Sequence, residues 1–141
     1  MSFPTFSTDV ARPAAAVAAI IFVVVACFQV FWALGGSWGL SAAWGGAHTE
    51  LSAGLRVAST LAAILLVVGV VVVIGRAGYW SFGIPFSVFR WGTWVFVAVF
   101  ALSTLANFAS SSNWERFLNG PIVLLLTILC LIVARSVVPL R

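Results

Sequence analysis

From Ala14 to Leu34 the chain runs 21 residues without a charged side chain. About 20 apolar residues are the length of helix that crosses the hydrocarbon core of a bilayer. Lipid offers no water to pair with backbone N–H and C=O groups, so such a run must pair them internally, as an α-helix does. The same constraint recurs three times. Val57–Ile74 lies between Arg56 and Arg76, Trp91–Ala109 follows Arg90, and a run opened by Pro121 reaches Val138 with Arg135 near its end. No stretch is long enough for two spans. The chain therefore reads as all-α and integral to a membrane, one domain over residues 1–141 forming a bundle of four transmembrane helices with short loops. The spans are expected at about 13–34, 56–75, 91–109 and 121–138.

Composition excludes the soluble alternative. Charged residues make up 7% of the chain and hydrophobic ones 63%, with a mean hydropathy of +1.19. A soluble domain carries about 25% charged residues, and so little charge cannot cover a water-exposed surface. The net charge is +4, and all seven basic residues are arginines. They sit singly at the ends of apolar runs, which fits topology and lipid headgroups rather than nucleic acid. Cys27 and Cys130 each lie inside an apolar run and form no Cys-x-x-Cys pair, so both read as small buried apolar residues. A cleaved signal peptide is the rival reading of the first run, with Arg12 as its charged region and Ala33-Leu34-Gly35 as a weak cleavage motif. Signal peptides have apolar cores of about 7–15 residues, and this run is longer.

Between the spans the punctuation is clear. Residues 35–54 hold six glycines with Trp38, Trp44, His48 and Glu50, a loop with a short interfacial turn around Leu40–Trp44. Residues 75–90 and 110–119 form the other two loops. Pro13 suits the first turn of the first helix, where a missing N–H costs nothing, and Asn119 or Gly120 is the expected cap of the fourth. Four spans put both termini and the middle loop on one side. That side carries Arg12, Arg76, Arg90, Arg135 and Arg141, against Arg56 and Arg116 with Glu50 and Glu115 on the other. The positive-inside rule then places the termini in the cytoplasm. Tryptophan follows the same layering, with Trp32, Trp38, Trp44 and Trp114 at the outer interface and Trp80, Trp91 and Trp94 at the inner one.

Polar side chains within the spans gather towards the outer end. Gln29 lies just over a turn before the end of the first span, and Asn107, preceded by Ser103 and Thr104, lies at matching depth in the third. Ser59 and Thr60 open the second, and Thr127 is deeper in the fourth. An amide facing lipid leaves its donors unpaired, at a cost of up to several kcal/mol, on the order of 2–7. These groups are therefore expected to face one another. One reading is interhelical glue, worth about 0.6 kcal/mol per bond. The other is a ligand pocket open to the outer leaflet, lined by Gln29, Trp32, Trp38, Ser59, Thr60, Ser103 and Asn107.

Other motifs carry less. His48-Thr49-Glu50 has the His-x-Glu look of a zinc deaminase but lacks its Pro-Cys-x-x-Cys partner, and no third group orients the two as acid and base. Gly35-x-x-x-Gly39 has small-xxx-small spacing but falls where the helix ends, so it reads as a turn. Ala58-x-x-x-Ala62 and the alanines at 14, 15, 16, 18 and 19 are better surfaces for close helix approach. Arg135 lies within about a turn of the inner edge and can snorkel to it. No catalytic residue, metal site or cofactor is assigned.

The stretch Phe31-Trp32-Ala33-Leu34-Gly35-Gly36-Ser37-Trp38-Gly39 resembles the signature of the bacterial family catalogued as domain of unknown function 3995. There an aromatic-Trp-Ala-Leu-Gly-Gly stretch ends the first of four predicted spans. Leu105-Ala106-Asn107-Phe108 and Pro121 also resemble that family, so the likeness extends over essentially the whole chain. Where its members carry histidine this chain has Gln29, so a proton or metal role drawn from that histidine does not carry over. The resemblance implies the four-span fold and no activity.

The function expected from these residues is that of a small, non-catalytic protein of the bacterial cytoplasmic membrane: a self-associating bundle or an accessory subunit of a larger membrane complex. The alternative is a binder or carrier of a lipid or lipophilic small molecule at the outer end. A membrane-embedded enzyme acting on a lipid or quinone is the third reading. Four-helix vitamin-K-epoxide-reductase-like enzymes are its analogy, and they need paired cysteines that this chain lacks. Expected partners are the bilayer and further protein subunits, with no nucleic acid.

Overall fold

The computed structural model describes residues 5–46, 48–81 and 83–137. Four helices account for most of them: α1 (Thr8–Ala33), α2 (Ala53–Arg76), α3 (Phe86–Ala109) and α4 (Gly120–Ala134). A π-helical turn, Glu115–Asn119, leads directly into α4. With that turn included, all four are long and apolar enough to cross a membrane. The protein is an all-α four-helix bundle of the multi-pass membrane class.

All four helices start earlier than the charge pattern indicates, α2 at Ala53, ahead of Arg56. α1 begins at Thr8 rather than at Pro13, which sits inside the helix. A proline there leaves the Asp9 carbonyl without its i+4 donor. Both residues are exposed, so polar surroundings can satisfy that carbonyl. Asp9 also places a negative charge in the first turn, where the helix dipole favours it. α3 begins at Phe86, just after Pro85, and runs straight through Arg90. The fourth helix begins before Pro121. Asn119 does not cap it: its backbone is already helical, and its side chain donates instead to the Ala42 carbonyl.

The helices form a ring in which α1 and α3 each pack on both α2 and α4. The core is built on one large side chain from α1. Phe22 is fully buried and lies against Phe96 and Phe100 of α3, with ring centroids 5.9 and 5.4 Å away. Around it α1 presents Ala11, Ala14, Ala15, Ala18, Ala19 and Ala26, all buried. This small-residue face is therefore used inside the bundle, where it lets the neighbouring helices close in. Gly69 does the same from α2, since a Cβ there would come within 3.1 Å of Phe22 and 3.2 Å of Phe96.

The two ends are finished differently. At the terminus end Phe6 and Ser136 form a parallel β-bridge, with Phe6 N–H donating to Arg135 O at 3.3 Å and Val137 N–H to Phe6 O at 3.1 Å. At the opposite end the loop after α1 folds into two short 3₁₀ turns, Leu40–Ala42 and Trp44–Gly46, which cover the helix ends as a lid. A second, smaller apolar cluster lies under that lid: Trp32, Leu40 and Ala43, with Phe28, Trp44 and Leu51 packed against them.

Candidate functional site

The lid end holds the polar residues expected to form one cluster, and they separate into several. Trp32 is 7% exposed, and its indole N–H donates to the Trp38 carbonyl at 2.9 Å. It ties the end of α1 to the start of the lid. Trp38 itself is 73% exposed and stacks on Phe28, with centroids 5.8 Å apart. Ser59 is fully buried on α2, where its hydroxyl accepts the Trp44 indole N–H at 3.2 Å. That bond helps hold Trp44 at a φ of 52°, a left-handed conformation that is rare for so large a side chain. Thr60 is exposed and bonds back to the Arg56 carbonyl of its own helix.

Gln29 and Asn107 are not hydrogen-bond partners. The Asn107 side-chain amide donates to the Ser103 carbonyl one turn earlier, at 2.8 Å. The Gln29 carbonyl oxygen is buried with no hydrogen-bond partner. The geometry gives the reason: α1 and α3 lie diagonally across the ring, each packed chiefly on α2 and α4. The polar link between spans falls instead on α3 and α4, where the hydroxyls of Thr104 and Thr127 meet at 3.2 Å.

Glu115 organises the outer surface of the lid. One carboxylate oxygen accepts the Gly45 N–H at 2.6 Å, and the other accepts the Ser110 hydroxyl at 2.5 Å. Ser112 adds a long bond to the Ser41 carbonyl, and Arg116 donates to the Ser110 carbonyl. Arg56 fixes the lid from below, with Nε donating to the Ala33 carbonyl at 2.8 Å, at the C-terminus of α1. That carbonyl is among the orphaned acceptors at a helix end, where a cation is favoured. The side chains of Trp44, Glu115, Ser112 and Asn119 thus decide how the lid sits. In sequence Trp44 reads as an interface residue and Asn119 as a cap, while Ser112 and Glu115 look like ordinary loop residues. The local signal was the run of serines ahead of Glu115, which resembles a turn whose hydroxyls have somewhere to donate.

A shallow apolar groove of about 220 Å³ opens beside this arrangement, lined by Cys27, Phe28, Phe31 and Trp38. Trp38 is the one expected pocket residue among its walls. Trp32 belongs to the packed cluster instead. His48 and Glu50 are exposed, and among the described residues no group of three His, Cys, Asp or Glu side chains comes together. Comparison with protein-family models, curated proteins and solved structures finds no match.

Proposed function

We propose that this protein is a non-catalytic accessory subunit that packs beside a larger complex in a bacterial cytoplasmic membrane. One observation carries the reading. The polar side chains of the lid end bond to loop backbone, as Trp32 to Trp38, Glu115 to Gly45 and Asn119 to Ala42. Those groups build a fixed surface rather than a set of functional groups left pointing into a site. The small-residue face of α1 is already used within the bundle, which favours a partner of different sequence over self-association through that face. The resemblance of Phe31–Gly39 to the bacterial domain-of-unknown-function 3995 signature supports the bacterial setting.

Gentle extraction from the native membrane, followed by mass spectrometry, tests the proposal. A stoichiometric protein partner is the expected result. A chain that leaves the membrane alone or only as a homo-oligomer rejects it. The groove under Trp38 supports a second reading, a site for part of an acyl chain or a similar apolar molecule; its volume is below the roughly 300–1,000 Å³ of small-molecule sites. A lipophilic molecule that stays bound in place of a protein partner would favour it.

The proposed orientation puts both termini in the cytoplasm, supported by the five-to-two division of arginines between the ends. A reporter active only in the cytoplasm should work after Arg141 or near Gly83, and fail near Gly46 or Ser111. The reverse pattern would invert the protein.

A further inference from the structure

The terminus end contains a charge that its own bundle leaves half-partnered. Arg76, the last residue of α2, is only 6% exposed. One terminal nitrogen, Nη2, donates to the carbonyls of Ala134 at 3.1 Å and Ser136 at 2.5 Å. The other nitrogens, Nε and Nη1, are buried without a hydrogen-bond partner. A guanidinium offers five N–H bonds, so three remain unmet. The Phe86 ring covers the group, 5.0 Å from its central carbon. No carboxylate forms an ion pair with Arg76 among the described residues; Asp9, at the same end, is exposed.

Positive charge accumulates around this point. Arg90, exposed one turn into α3, acts electrostatically on Arg76. Arg12 donates to the carbonyl of Gly78, two residues beyond Arg76, and lies over the Tyr79 ring at 5.2 Å. Tyr79 and Trp80 are both largely exposed, as aromatic side chains are at the level of lipid headgroups. A buried, incompletely bonded cation with further cations beside it calls for an anion whose oxygens can accept several N–H bonds. Phosphate oxygens suit guanidinium groups in this way.

We propose that Arg76, assisted by Arg90, is a phosphate-recognition site at the terminus end of the bundle. Phe86, half-exposed at the first position of α3, is the cover that must swing aside for the anion to reach Nε and Nη1. The phosphate can come from an anionic phospholipid or from solution, and the site is independent of the accessory role proposed above.

The test uses the full-length chain in neutral detergent. Thermal unfolding is followed against added phosphatidylglycerol, against inorganic phosphate and against chloride at equal ionic strength. Native mass spectrometry of the extracted protein then counts retained lipids. The expected result is a rise in midpoint with phosphatidylglycerol beyond that with chloride, and retention of one anionic lipid. Arg76→Gln should lose both, and Arg90→Gln should weaken retention several-fold. A rise with inorganic phosphate at millimolar concentration, with no lipid retained, assigns the same site to a soluble phosphate. If neither phosphate source exceeds chloride and no anionic lipid is retained, the proposal is wrong and Arg76 is a clamp on α4 alone. Should Arg76→Gln fail to fold, Arg90→Gln decides, because the exposed Arg90 side chain makes no hydrogen bond among the described residues. Lipid retention and stabilisation unchanged in that variant would overturn the site.

Discussion

Trp32 shows how much of the lid depends on single side chains. It is buried, it packs with Leu40 and Ala43, and its indole N–H is bonded to the Trp38 carbonyl. Truncation should leave a void and an unpaired carbonyl together. Trp32→Ala is therefore expected to destabilise the protein by about 3–5 kcal/mol, measured by unfolding in mixed detergent micelles. A loss below 1 kcal/mol would mean that Trp32 lines open space. Ser59→Ala removes the acceptor from the half-buried Trp44 indole, at about 0.5–1.5 kcal/mol. Gln29 behaves oppositely. Its oxygen already lacks a partner, so Gln29→Leu should be neutral or stabilising. Asn107→Leu loses one bond within its helix, and the two changes should add to within about 0.3–0.5 kcal/mol. A larger coupling would show that they meet.

At the scale of elements the lid is held by acidic and hydroxyl groups rather than by burial alone. Glu115→Ala strips the Gly45 N–H and the Ser110 hydroxyl of their shared acceptor. Hydrogen exchange should accelerate across residues 37–46 and leave α1 to α3 unchanged; uniform acceleration would mean that the lid and the bundle open as one. Thr104 and Thr127 join α3 to α4, so replacing both by valine in a double-mutant cycle should show a coupling of about 0.6 kcal/mol.

The spans were legible in the sequence because the near-absence of charge within Ala14–Leu34 and its three counterparts, broken only by Arg135 near the end of the last, is a property of each segment by itself. The 3₁₀ turns near Leu40–Trp44 were legible for the same local reason, through glycine and tryptophan. Partnership was not. Which residue Asn107 bonds depends on α3 standing diagonal to α1, a relation set by side-chain packing around Phe22. Arg76 reads in sequence as a boundary marker like Arg56, and only the position of the α4 carbonyls shows that it turns inward. Arg56 and Arg76 flank the same span, yet one is exposed and the other buried.

Across the whole molecule, the first and last described segments meet. Phe6 bonds to Arg135 and Val137, Thr8 reaches the Val137 carbonyl, and Arg76 reaches Ala134 and Ser136. Val137→Pro removes the N–H that Phe6 accepts, and it should destabilise by about 0.5–1.5 kcal/mol. Faster exchange in the first turn of α1, with the lid unaffected, would locate that loss at the bridge. This clasp also orders events during synthesis. A nascent chain that has emerged as far as Ala109 has the residues that pack α1 on α2 and Phe22 on Phe96 and Phe100. The acceptors of its Arg76 guanidinium, on Ala134 and Ser136, have not yet emerged. Phe6 must wait for Arg135 and Val137, which follow α4 in the chain, so this clasp closes only when α4 has left the ribosome.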